Sequence, residues 1–465
     1  MKSIRPNCAV VGVWGIPEAS TMTYLSLYAL QHRGQEATGI VSSDGEMLYR
    51  HAREGLVADV FRKKKILDDL PGSAAIGHNR YSTTGPSSSD NVQPLLVTDR
   101  SGPVAMSHNG NLVNYPELRV FLEEEGSLFR TSSDSELILQ LAARSRASTL
   151  SDRILEALKM VKGAYSLTLL STNSLIAVRD PFGFRPLCIG KRKSGWVIAS
   201  ESCAFDLLGA EYIRDVEPGE MVEIDSKGFS SRKFAVSHRR AHCIFEYVYF
   251  SRPDSKIFGD NVDKARRQLG HMLGKGHPRH DVDFIMSVPD SSNTAALGFA
   301  NEMDLPFEIA LIRNHYIGRT FIEPEQRMRD FGVRIKFNAV AGVLRGKKVV
   351  VVDDSIVRGT TLRKLVRLIR DAGAIEVHVR ISSPPIKYPC YYGMDFPTRN
   401  ELMAAWHTIE ETRRYIEADS LEYLTAEELL SAVPHDNGQD YCTACFTGDY
   451  PIPKNSENGP VKLEN

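Results

Sequence analysis

Residues Val349 to Leu362 read VVVVDDSIVRGTTL, and no other stretch limits the possible folds so sharply. Four consecutive valines suit a strand covered on both faces, as in the interior of a parallel sheet. A pair of carboxylates and a small-residue turn follow. Leu362, Leu365, Val366 and Ile369 then recur at helical spacing until Gly373. Beyond it Ile375, Val377, Val379 and Ile381 alternate like a further strand. This is a β-α-β unit, and it predicts a doubly wound α/β domain with a parallel sheet in the second half of the chain. The turn is a candidate phosphate cradle, because Ser355, Gly359, Thr360 and Thr361 offer hydroxyls and backbone N–H groups at a helix N-terminus. Asp353 and Asp354 stand at the carboxyl end of the strand, placed to hold sugar hydroxyls or a hydrated Mg2+.

The first half has a different rhythm. Ala9 to Trp14, Gly39 to Ser42, Ala74 to Ile76, Tyr165 to Leu170 and Ser174 to Val178 read as strands separated by turns. Helical patterns around Thr23 to Gln31 and Ser135 to Ala143 interrupt them, which predicts a layered α+β domain up to about residue 235. The polar, basic stretch Ser230 to His242 is the expected junction, and the last dozen residues, KNSENGPVKLEN, read as a frayed tail.

Charge and hydropathy exclude several classes. Lys plus Arg total 57 against 58 Asp plus Glu, a net charge of −1, which argues against a protein that grips nucleic acid by its phosphates. No apolar run reaches the roughly 18 residues a membrane-crossing helix needs. Lys2 and Arg5 before the apolar run Cys8 to Ile16 mimic a signal peptide, but Pro17-Glu18 end the run and a first strand fits better. Seven cysteines, an odd number spread over 465 residues, predict a reducing cytoplasm and thiols that are reactive or metal-bound.

The VVVVDDSIVRGTT segment closely resembles the phosphoribosylpyrophosphate (PRPP) fingerprint of type I phosphoribosyltransferases. That resemblance implies Asp353 and Asp354 at the ribose hydroxyls and Mg2+, and Ser355 to Thr361, with Arg358, around the 5′-phosphate. SVPDSS, residues 287–292, resembles the pyrophosphate loop of those enzymes, with Ser291 at a Mg2+ position and Ser292 beside it. The basic stretch Arg313 to Lys336 resembles the loop that closes over PRPP, although His315 stands where Arg is common.

The segment Cys8 to Glu36 resembles the opening of the glutamine PRPP amidotransferase family, and the resemblance continues to about residue 453. It implies a propeptide at 1–7 and a four-layer α+β sandwich of the N-terminal-nucleophile (class II glutamine amidotransferase) type at 8–235. A phosphoribosyltransferase domain with a cluster-binding C-terminal segment then spans 243–450, and a tail 451–465. In such enzymes the cysteine becomes the mature N-terminus, and its thiolate attacks the glutamine amide while its own α-amine carries the proton. An α-amine has a reference pKa of about 8, close to working pH. The resemblance assigns Cys8 as nucleophile and Arg80, within GHNRYSTTG, to the glutamine carboxylate. Asn109 and Gly110, within SHNGNLVNY, become the oxyanion hole, and Asp134 the partner of the α-ammonium. Ala9 and Asn79 depart from the usual Gly and Thr.

Cys243, Cys390, Cys442 and Cys445 suit Zn2+ or an iron–sulfur cluster by residue type. The resemblance favours a structural [4Fe–4S] cluster, leaving Cys188 and Cys203 as core thiols. The implied reaction is hydrolysis of glutamine and transfer of its ammonia to PRPP with loss of pyrophosphate, giving 5-phospho-β-D-ribosylamine at the first committed step of purine synthesis. A cytoplasmic homotetramer inhibited by purine nucleotides is implied as well. A PRPP-sensing regulatory protein gives no reason for the Cys8 set, and other class II amidotransferases lack the VVVVDDSIVRGTT segment.

Overall fold

The structure, a computed structural model, describes residues 8–81, 89–193, 195–237, 239–314, 336–394, 398–434 and 440–452. The expected propeptide, His315 with most of the expected PRPP-covering loop, and the KNSENGPVKLEN tail lie outside the described residues.

Two antiparallel sheets form the first half. A seven-stranded sheet runs in the order Glu211–Asp215, Cys188–Arg192, Gly195–Ala199, Ala9–Trp14, Ala74–Arg80, Ala37–Ser43, Leu48–Glu54. A six-stranded sheet runs Gly228–Lys233, Glu220–Asp225, Ser174–Arg179, Gly163–Leu170, Gly102–Leu112, Leu95–Asp99. Strand alternation decides what each face meets. In the opening strand Val10 joins Val41, Ile76, Leu175 and Ile198 in the core between the sheets. Val11 and Val13 point the other way, into a cluster with Leu27 of the helix Ala19–Ala29 and Phe205 of the helix Cys203–Leu208. The second sheet is covered likewise by the helices Ser135–Arg144 and Leu150–Leu158, through Leu137, Ile138, Leu141 and Ile154. Four layers result, helix, sheet, sheet, helix. The first helix begins four residues before the expected Thr23, immediately after Glu18, which takes a left-handed conformation (φ 55°).

In the second half a four-stranded parallel sheet runs Phe284–Ser287, Lys348–Asp353, Glu376–Ile381, Ser420–Tyr423. The four valines behave as their run predicts. Val350 and Val352 pack in the core with Leu269 and Phe299, from the helices Val262–Gly276 and Asn293–Met303. Val349 and Val351 pack on the opposite face with Leu362, Leu365, Val366 and Ile369 of the helix Thr360–Asp371. Each buried valine side chain contributes about 1.5–3 kcal/mol relative to exposure.

The junction is shorter than the polar stretch predicts, because Gly228–Lys233 is the edge strand of the six-stranded sheet. Past it, His242–Cys243 pairs in parallel with Tyr441–Cys442, drawing the C-terminal segment back to the junction. The halves are also joined by buried charges. Arg33 meets Glu201 at 2.5 Å and Glu246 at 2.7 Å, and Arg185 meets Glu246 at 3.3 Å. Burial pushes the Glu246 carboxyl up, but Arg33 and Arg185 outweigh it and hold it below its ordinary value. Among the described residues no helix is long and apolar enough to cross a membrane.

Candidate functional sites

The glutamine-type centre is built where the opening strand starts. Cys8 lies against the end of the strand Ala74–Arg80, with its Sγ 3.4 Å from the Tyr81 backbone N–H. Its own carbonyl accepts from Arg33 Nε at 3.2 Å. Burial pushes the thiol up to about 11; the Tyr81 N–H and the Arg80 charge pull it back, while Glu36 and Asp134 push it further up. Cys8, Arg80 and Asp134 therefore share one electrostatic neighbourhood. A thiol of this kind needs an adjacent base before it can attack.

Both departures in this region are absorbed by the sheet. Asn79 is fully buried, accepts from Thr38 Oγ1 at 2.9 Å and donates to the Leu27 carbonyl at 2.7 Å. Ala9 is a buried strand residue paired with Asn79.

The strand Gly102–Leu112 carries Asn109 and Gly110. Leu95–Asp99 pairs with it only as far as Met106, so its outer edge is free of a strand from there on, among the described residues. Side chains use part of that edge. The His108 N–H donates to Gln93 Oε1 at 2.7 Å, and the Leu112 N–H donates to Asp134 Oδ2 at 2.9 Å. Strand N–H groups alternate sides, so the Gly110 N–H, two residues from each, points along the same edge between them. Beside it, Asn109 is 1% exposed and its Nδ2 has no hydrogen-bond partner. A buried donor left unpaired costs about 1–3 kcal/mol, which an incoming oxyanion would recover. A Cβ on Gly110 would lie 2.0 Å from the Ala164 carbonyl oxygen, so only glycine fits.

A shell of polar groups fixes this strand. His108 Nδ1 lies 2.9 Å from Ser135 Oγ, which also accepts from Gln93 Nε2 at 3.0 Å. His78 Nε2 meets the His108 carbonyl at 3.0 Å, and burial pushes the His78 imidazole down to about 3, so it is neutral. Sequence reasoning missed these residues. Their only signal was adjacency to residues already singled out, His78 and His108 within their motifs and Ser135 beside Asp134.

The second centre lies at the carboxyl end of the parallel sheet. Ser291 Oγ donates to Asp354 Oδ2 at 2.6 Å, Ser355 Oγ to Asp354 Oδ1 at 2.5 Å, and Ser292 Oγ to Asp353 Oδ1 at 3.2 Å. Two loops distant in sequence thus converge on the acidic pair. Burial raises both carboxyls, Asp353 further through the neighbouring Asp354 charge, while Ser291, Ser355 and Arg266 partly relieve Asp354. Gly359 is left-handed (φ 69°) directly before the helix Thr360–Asp371, whose first N–H groups face the loop. Arg358 pairs with Glu401 at 2.6 Å. Arg313, at the edge of the expected covering loop, reaches Asp290 at 2.7 Å.

All seven cysteines are free thiols. Cys243 and Cys442 are direct partners in the parallel pairing, and Cys243 and Cys390 pack with Cys445 and Phe446 around one core. Burial raises the Cys445 thiol well above its ordinary value, and Cys442, Cys390 and Cys243 add to that shift in turn. Among the described residues no three or more His, Cys, Asp or Glu side chains are spaced to hold a metal ion. Cys188 and Cys203 are buried in the first domain.

The two centres differ in chemistry, and each half of the chain has its own relatives. Residues 78–206 match the glutamine amidotransferase domain and residues 268–383 the phosphoribosyl transferase domain. The class is a glutamine amidotransferase fused to a phosphoribosyltransferase.

Full-length relatives narrow it. The amidophosphoribosyltransferase of Bacillus subtilis is 49% identical over 455 residues, 97% of this chain and 95% of that protein. That of Archaeoglobus fulgidus is 49% identical over 453 residues, 96% of this chain and 98% of that protein. A solved structure described as the allosteric regulatory enzyme of purine biosynthesis superposes with a TM-score of 0.91 at 49% identity, covering 96% of each chain. Glutamine PRPP amidotransferase from B. subtilis complexed with ADP and GMP gives 0.90 at 49% identity, covering 96% of this chain and 97% of that one. The chain belongs to the amidophosphoribosyltransferase family, and it is an enzyme of purine biosynthesis.

Proposed function

We propose the following division of roles for the reaction, in which glutamine nitrogen replaces the pyrophosphate of PRPP to give 5-phospho-β-D-ribosylamine. Removal of residues 1–7 frees the Cys8 α-amine, which takes the thiol proton as the thiolate attacks the glutamine amide carbon. Arg80 binds the glutamine carboxylate through its planar guanidinium, and Asp134 holds the α-ammonium. Asn109 Nδ2 and the Gly110 N–H donate to the developing oxyanion, and the same amine returns the proton to departing ammonia. The observation that carries this reading is the buried Asn109 Nδ2, without a hydrogen-bond partner among the described residues, beside a strand edge that Leu95–Asp99 leaves uncovered in the Cys8 domain.

In the second domain Asp353 and Asp354 hold the ribose hydroxyls, while Ser355, Arg358, Gly359, Thr360 and Thr361 hold the 5′-phosphate. Ser291 and Ser292 face the pyrophosphate. Two adjacent carboxylates, Asp354 buried and Asp353 partly so, both raised in pKa, suit a divalent cation; Mg2+ held by Asp353, Asp354 and Ser291 would supply charge neutralisation for the leaving pyrophosphate. Cys243, Cys390, Cys442 and Cys445 suit a [4Fe–4S] cluster. Four free thiols share one apolar neighbourhood, where Cys442, Cys390 and Cys243 add to the burial that raises Cys445, and the cubane is wider than a single ion. When bound it supplies a structural tie between the C-terminal segment and the junction.

The domains extend over 8–235 and 243–450, with a tail at 451–465. The enzyme works in the cytoplasm as a homotetramer under purine nucleotide control, and the ADP and GMP in the B. subtilis complex support the nucleotide control. Cys8→Ala tests the two-site scheme. It should abolish synthesis from glutamine and keep synthesis from ammonia; loss of both would overturn the scheme. Intact-mass measurement should show a chain beginning at Cys8, and a fully active chain that retains residues 1–7 would refute the amine's role.

A further inference from the structure

The oxyanion strand is not supported by its own domain alone. The segment Cys390–Met394 of the second half lies directly against it. A Cβ on Gly393 would stand 2.9 Å from the Gly110 carbonyl carbon, 3.0 Å from its oxygen and 3.1 Å from its Cα. Those distances leave no room for a side chain, so the two glycine backbones are in van der Waals contact. One residue further along the strand, Asn111 Nδ2 donates to the Tyr391 carbonyl at 2.9 Å.

The segment is itself fastened. Arg185 donates to the Tyr392 carbonyl through Nη2 at 2.8 Å and Nε at 3.2 Å. The Tyr392 ring stacks on Phe184 with centroids 4.3 Å apart, in a buried cluster that includes Ala164. Ala164 is the residue whose carbonyl blocks the Cβ position of Gly110. Gly110 is therefore closely packed by both the strand Gly163–Leu170 and Gly393.

We infer that Gly393, with the Tyr391 carbonyl, is a positioning element for glutamine hydrolysis, holding the Gly110 peptide in place from the other half of the chain. The inference rests on the assignment of Gly110 to the oxyanion hole. An oxyanion donor acts through its position in the transition state, and a displacement of a fraction of an ångström weakens it without disturbing substrate binding. Alanine at 393 has to push the Gly110 backbone or itself, and its φ of 97° already disfavours any side chain. Alanine at 111 removes the tie to Tyr391 without adding bulk.

Steady-state kinetics on Gly393→Ala and Asn111→Ala test it, with both nitrogen donors. The expected result for Gly393→Ala is a fall in the glutamine kcat of about tenfold or more, and for Asn111→Ala a smaller fall of about threefold, with glutamine KM nearly unchanged. The ammonia-dependent rate should stay at the parental level in both, which a general loss of structure would not allow. An unchanged glutamine kcat in both variants overturns the inference, as does a rise in KM alone. If Gly393→Ala loses both activities through misfolding, Asn111→Ala decides: a glutamine-specific fall supports the inference and parental turnover overturns it. Asn109→Ala, run alongside, separates the two readings. Full glutamine turnover there means that the oxyanion assignment fails and takes this inference with it. A defective Asn109→Ala beside normal Gly393→Ala and Asn111→Ala means that the positioning role alone is wrong.

Discussion

Replacing Asn109 by alanine separates catalysis from stability in an unusually clean way. In most buried polar residues truncation breaks a hydrogen bond and destabilises the fold. Here the Nδ2 has no partner to lose. The resting enzyme carries the cost of that unpaired donor, about 1–3 kcal/mol, and alanine relieves it while giving up the side chain's packing. These effects oppose each other, so unfolding free energy should change by less than about 1 kcal/mol. The transition state is another matter. Loss of one oxyanion donor costs about 2.7–4 kcal/mol, or roughly 10²- to 10³-fold in kcat. Glutaminase turnover at saturating PRPP should fall by that factor, and the rate with ammonia should remain near parental. Urea denaturation should give an almost unmoved midpoint. A midpoint lowered in step with the activity, or equal loss with both nitrogen donors, would refute the reasoning.

Four further outcomes follow from the geometry. Asp354→Asn should abolish synthesis from both nitrogen donors while stabilising the fold at neutral pH. The buried pair binds protons more tightly in the folded chain, so its contribution to stability falls as pH rises from about 4 through the raised pKa values; thermal melts across pH 4 to 8 should show a shallower decline in the variant, and a steeper one would count against the assignment. Gly359→Ala forces an alanine into a left-handed conformation at about 1–2 kcal/mol, which should raise the PRPP KM about five- to thirtyfold and leave the glutamine KM alone. Glu246→Gln leaves Arg33 and Arg185 facing a neutral group and should destabilise the protein by about 3–5 kcal/mol in urea titration. Iron and sulfide analysis of anaerobically purified protein should find a cluster that Cys442→Ser loses and Cys188→Ser keeps.

The parts legible in the sequence are those where one local rule decides. Four valines in a row demanded cover on both faces, and Leu362, Leu365, Val366 and Ile369 are all buried as their spacing required. The opening strand Ala9–Trp14 falls on its expected residues, because its alternation serves two different cores. The edge strand Gly228–Lys233 was hidden by the same logic. It is largely exposed, so its composition reads as a linker. The carboxylate pair and its loop are contiguous and were visible together. The setting of the glutamine centre is not contiguous. Gln93, Ser135 and His78 reach the strand Gly102–Leu112 from three separate elements, and no spacing rule connects them. Gly393 was invisible for a further reason: its importance lies in the side chain it lacks and in a neighbour 283 positions away along the chain.

Arg33 also bears on how the enzyme comes apart. It is fully buried, and its guanidinium is shared between Glu201 in the first half and Glu246 in the second. Cutting the chain between residues 234 and 241 would not yield two self-sufficient pieces, since separation takes from this cation one of its two carboxylate partners. The Cys8 carbonyl is bound to the same guanidinium. Melting should therefore be a single event, in which the capacity to liberate nitrogen and the capacity to use it disappear together.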